Sequence, residues 1–117
     1  MNIGLLLTGC GLFILAHVLV WFSTNAQFMS GAIGRHSLLL ALIISLPLTL
    51  VCYYAGRITY SALGESVWAV RFIAFGTSWV VFPLLTWWLL KESMFDPKTL
   101  VCTLLAFVIV AIQLFWK

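Results

Sequence analysis

Residues 3–24 read IGLLLTGCGLFILAHVLVWFST, an apolar run whose only basic side chain is His17 and which holds no Asp, Glu, Lys or Arg. A membrane-crossing helix needs about 20 mostly apolar residues to span a hydrocarbon core of roughly 30 Å. This run is long enough, and it is longer than the apolar core of a secretory signal. It also has no basic stretch ahead of it, so it reads as a retained span. The whole chain has the same character: 117 residues, 64% hydrophobic, 8% charged, mean hydropathy +1.17. Soluble domains are roughly 45–50% apolar and about 25% charged. Six Lys/Arg and three Asp/Glu cannot clothe a water-facing surface. A soluble enzyme, a nucleic-acid binder and a disordered tail are excluded on that ground, and the formal net charge of +3 comes from too few residues to indicate a polyanion partner.

Four spans of about 20 residues leave roughly 37 for connections and ends, and five would leave none. Residues 25–36 (NAQFMSGAIGRH) are polar, contain glycine and carry Arg35, as a connection does. The second span covers residues 37–62 and ends at Leu63, Gly64, Glu65 and Ser66, with Gly64 as the stop. The third covers 67–90. After the turn at 91–96, Asp96 followed by Pro97 predicts a capped helix start. The fourth span then runs over 97–116. Pro47 and Pro83 lie inside spans two and three, where a missing backbone donor predicts kinks. The expected fold is all-α, an antiparallel bundle of four transmembrane helices in one membrane domain. The expected surroundings are a lipid bilayer of the bacterial inner (plasma) membrane type.

Trp21, Tyr53, Tyr54, Trp87, Trp88 and Trp116 fall near span ends, where amphipathic rings anchor at the headgroup level. Trp68 and Trp79 are the two tryptophans that this accounts for least. Basic residues orient a membrane protein toward the cytoplasm. Arg57, Arg71 and Lys117 fall on one side, and Arg35, Lys91 and Lys98 on the other. The balance sets no firm orientation and permits insertion both ways.

Ionisable side chains within spans are costly and tend to face a bundle interior or an aqueous path. His17 is one. Its helical face adds Cys10, Phe13, Trp21 and Thr24, and it reads either as a titratable gate or as a neutral ring hydrogen-bonded to a neighbouring helix. Arg71 is the other, one turn into span three beside Trp68, Phe75 and Ser78. Its planar fork suits a carboxylate or phosphate. The alternatives are snorkelling to headgroups and an ion pair with Glu65. Cys102 and Ala106 form a small-xxx-small pair on span four. That pair predicts a close helix contact or dimer seam across which Gln113 can hydrogen-bond. Cys10, Cys52 and Cys102 have no C-x-x-C spacing, His17 and His36 lie in different environments, and no catalytic motif is present. The sequence therefore calls for no metal, cofactor or enzymatic activity.

Three patches carry a resemblance to a known family. Leu15-Ala16-His17 is similar to a Leu-Ala-Glu in the first helix of the drug/metabolite transporter superfamily, small multidrug resistance branch. Gly76-Thr77-Ser78-Trp79 falls where that branch carries a glycine-containing packing motif. WWLLKESMFDP, residues 87–97, resembles the superfamily's turn into its last helix, including Lys91-Glu92. The resemblance implies a four-helix protomer that dimerises around a shared binding chamber. The branch's exporters exchange protons for cationic drugs through a membrane-embedded glutamate, and His17 stands at the matching position. No Asp or Glu lies in the apolar core of any span.

The expected function is that of a small transporter protomer, acting as a homodimer on a small polar or anionic solute. His17, Trp21, Trp68, Arg71, Phe75 and Ser78 would line its path. The alternative is a small accessory or structural subunit of a larger membrane complex.

Overall fold

A computed structural model describes residues 2–116. The long apolar runs are helices α1 (Ile3–Asn25), α3 (Ser37–Ala62), α4 (Val67–Leu90) and α5 (Pro97–Phe115), with a single-turn helix α2 (Ala32–Arg35) in the first connection. All four long helices have the length and apolarity to cross a membrane, so the chain is an integral membrane protein. Pro47 and Pro83 lie within continuous α3 and α4.

The helix ends have local causes. Asn2 caps α1, its Oδ1 accepting from the Leu5 N–H at 3.1 Å, and Ser66 caps α4 through the Ala69 N–H. At the end of α3 the Glu65 N–H donates to the Tyr60 carbonyl at 2.9 Å, across Gly64 at φ 67°. This is the Schellman closure, and the left-handed position is one that glycine fills at little cost. One expectation fails here. Asp96 precedes Pro97 at the start of α5, but its side chain makes no capping hydrogen bond. The Asp96 carboxylate is exposed and is left to solvent.

The molecule measures 48 × 37 × 19 Å, so it is a slab about two helices thick. Helix α1 runs antiparallel to α3 and in the same direction as α4. Its most extensive packing is with α3, then α4. Helix α5 packs on α4, while α3 and α4 touch each other only slightly. Spans two and three, consecutive in sequence, are thus held together mainly through α1.

Close approach explains α1 against α3. A Cβ on Gly9 would collide with the Thr59 hydroxyl, and Thr59 is 0% exposed. Without a hydrophobic drive between helices in lipid, small residues that let backbones approach supply the packing. The Asn2 N–H also donates to the Ala62 carbonyl at 3.1 Å, joining the start of α1 to the end of α3. On the far side of the slab, a Cβ on Gly76 would press on Val110, which is the corresponding contact of α4 with α5.

Thr59 Oγ1 is buried without a hydrogen-bond partner, which gives two substitutions of opposite sign. Gly9→Ala is expected to destabilise the fold by about 1–3 kcal/mol through overpacking. Thr59→Val keeps the shape, removes the orphaned hydroxyl and is expected to be neutral or stabilising by about 1 kcal/mol. Reversible unfolding in mixed micelles, with Gly11→Ala as the control at an open position, reads both signs.

Candidate functional site

Two polar side chains of α1, His17 and Trp21, reach across to α4. His17 Nε2 lies 2.8 Å from the Ala74 carbonyl oxygen. A carbonyl only accepts, so Nε2 carries the proton and donates it, and in the neutral ring Nδ1 remains an acceptor. The ring stacks beside Phe13 with centroids 6.3 Å apart. One residue triplet further along the same carbonyl register, Thr77 Oγ1 donates within its own helix to Ile73 or Ala74. His17 therefore satisfies itself on backbone of the neighbouring helix, in the manner of a hydrogen-bonded neutral ring, while staying only half-buried.

One turn further along α1, the Trp21 indole Nε1–H donates to Thr86 Oγ1 at 3.0 Å. Trp21 is 2% exposed. This corrects its assignment to the interfacial belt: position at the end of an apolar run suggested a headgroup anchor, but its face of α1 meets α4. Buried indole N–H groups require a partner, and Thr86 supplies it. Trp68, Trp87, Trp88 and Trp116 are exposed, as lipid-interface residues are.

On α4, Arg71, Ala74 and Ser78 follow i, i+3, i+7 spacing and share one ridge. The carbonyl that holds His17 thus belongs to a residue one turn from Arg71. Arg71 is exposed, and among the described residues no carboxylate stands within ion-pair distance of it; the pair with Glu65 does not form. Ser78 donates to its own helix at the Phe75 carbonyl, 2.6 Å. Phe75 and Trp79 meet edge to face, centroids 6.5 Å apart. Phe75, Ser78, Trp79 and Phe82 line a shallow concavity on this side of α4. Of the six path residues expected from sequence, His17, Arg71, Phe75 and Ser78 gather around this ridge. Trp68 is 70% exposed at its outer end, and Trp21 is sealed inside.

On α5, Ala106 is buried against α4, Gln113 is half-buried beside the turn of Leu63 and Gly64, and Cys102 is exposed. Ala106 and Gln113 therefore face the chain's own helices. Sequence reasoning missed Thr59 and Thr86. The available signal was that both are hydroxyl residues inside apolar spans, where such groups mark helix contacts. Among the described residues no cluster of His, Cys, Asp or Glu could hold a metal ion. Compared with known proteins, the chain matches no family model, no curated protein and no solved structure.

Thr86→Val is expected to cost about 1–3 kcal/mol, because it strands the buried indole N–H. In a double-mutant cycle with Trp21→Phe the coupling should be about 0.6 kcal/mol, the average for interhelical hydrogen bonds in lipid, and at most about 1.7 kcal/mol. Additive losses would show that the bond contributes no stability.

Proposed function

We propose that the chain is a transporter protomer that works as a homodimer on a small polar or anionic solute, rather than an enzyme. The observation that carries this reading is Arg71, which is charged, exposed and without a carboxylate partner among the described residues, one turn inside a membrane-crossing helix. A guanidinium does not escape by losing its proton. Charged groups at such positions face a water-filled cavity or the interior of a bundle when they do not snorkel to the headgroups. Within one chain Arg71 is exposed and Phe75 and Ser78 are only partly buried, so a second copy across this part of α4 would enclose them in a common chamber. His17 contributes its free Nδ1 edge from the α1 side of the same ridge.

In such a chamber Arg71 binds the anionic group by a bidentate fork, and the Phe75–Trp79 pair supplies apolar walls. The likeness of residues 15–17, 76–79 and 87–97 to the small multidrug resistance branch supports a dimeric chamber. The arginine, with no carboxylate in any apolar core, supports a solute of opposite charge to that branch's cationic drugs. The accessory-subunit reading rests on the extended apolar outer face of α5, formed by Val101, Leu104, Leu105, Val108 and Ile112, all exposed.

Purified protein in liposomes is expected to move small carboxylates or organic phosphates. Arg71→Ala should lower that flux at least tenfold, the effect of about 1.4 kcal/mol. His17→Ala should lower it as well, with Glu65→Ala near the parent. If Arg71→Ala and His17→Ala leave every anion flux unchanged, the path lies elsewhere. The assembly has its own test: with Cys10, Cys52 and Cys102 replaced, Ser78→Cys should cross-link two copies. Co-purification with a large assembly and no flux in isolation would favour the subunit.

A further inference from the structure

We propose that the groove between α3 and α4 binds an anionic phospholipid, its headgroup phosphate on Arg57 and one acyl chain running inward past Gly56 and Tyr53. This does not rest on the transport reading and uses none of that path's residues. The groove exists because α3 and α4 both pack on α1 and barely meet each other. It is a shallow, largely open depression of about 420 Å³, lined by Tyr53, Gly56, Arg57, Tyr60, Val67 and Val70.

Its depth matches a phosphate. Helix α3 has 26 residues, about 39 Å at 1.5 Å per residue, against a hydrocarbon thickness of roughly 30 Å. Each end then projects about 4–5 Å beyond the hydrocarbon. Arg57 lies five residues before the last residue of α3, Ala62, about 8 Å from that end. Its backbone is therefore just inside the apolar boundary, and a guanidinium on a flexible stem reaches headgroup level.

The chemistry of the lining selects an anion. Arg57 is exposed, its Nη1 stands 3.5 Å from the Tyr53 hydroxyl, and Tyr60 adds a second phenol from the same helix. Among the described residues no carboxylate lies within ion-pair distance of Arg57. A guanidinium flanked by O–H donors presents a fork suited to phosphate oxygens. Val67 and Val70, in the first turn of α4, wall the groove at the level of the phosphate and glycerol ester, and this apolar wall offers nothing to a hydrated free anion. Space for that chain reaches the α3 backbone, because a Cβ on Gly56 would meet no atom within 4 Å.

The test uses the full chain, delipidated in detergent and titrated with phosphatidylglycerol or phosphatidylcholine of identical acyl chains, with bound lipid read by native mass spectrometry. Phosphatidylglycerol is expected to bind about tenfold more tightly than phosphatidylcholine, and Arg57→Ala to remove that preference. Gly56→Leu adds bulk at a position where a Cβ meets no atom within 4 Å and should weaken phosphatidylglycerol binding even though Arg57 is intact. Lys98→Ala, a charge lost elsewhere, should leave the preference in place. Equal binding of the two lipids, or an Arg57→Ala variant indistinguishable from the parent, overturns the proposal. So does displacement of the lipid by glycerol 3-phosphate at equal concentration, which would assign the groove to a free anion. A change from two-chain to one-chain mass in Gly56→Leu would assign it to a second copy and overturns it too.

Discussion

Everything in this molecule hangs on how α1 is held. In lipid, apolar side chains gain nothing by leaving one apolar neighbour for another, so helices associate through close backbone approach and through polar groups that find partners. Helix α1 does both, on two sides at once. Gly9 admits Thr59 of α3 against its backbone, and the Asn2 N–H reaches the end of the same helix. Across the other face, His17 and Trp21 donate to Ala74 and Thr86 of α4. Because α1 takes up both partners, α3 and α4 stand apart, and α5 is left to pack on the outside of α4.

Two surfaces follow from that placement. One is the groove over α1, with Arg57 and its tyrosines near the headgroup level. The other is the side of α4 beside the His17–Ala74 contact, with Arg71 exposed and Phe75 and Ser78 partly buried beyond it. Both carry a guanidinium without a carboxylate partner among the described residues, so both favour anions. They differ in their surroundings: one is walled by valines and open to lipid, the other is flanked by aromatic rings.

Much of the fold was legible because bilayer thickness imposes a length that apolar runs must meet. The four runs and the polar punctuation between them, with Gly64 as a stop, are local properties and read directly. The candidate site was legible as a set of residue types. Arg71 and His17 stand out in apolar spans because a charge or an imidazole there needs a reason. Their partners were not legible. Trp21 lies where an interfacial anchor would, and only the packing of α1 on α4 turns it inward to Thr86. Asp96 has the sequence of a cap but not its hydrogen bond, since the carboxylate has water to prefer. Ala106, which reads equally well as a dimer seam, is consumed by its own chain's α4.

Composition opened the question by showing too little charge for water. That fact, with helix periodicity and the spacing of polar breaks, determined that the chain crosses a membrane four times and marked His17 and Arg71 as exceptions. Tertiary structure decided which helix lies between which, that His17 is tied to a backbone carbonyl, and that Arg71 is left facing outward. The division has a physical reason. Transfer into lipid depends on each segment's own side chains, whereas a hydrogen-bond partner or a close glycine contact depends on a residue far away in the chain, and one sequence alone does not say which.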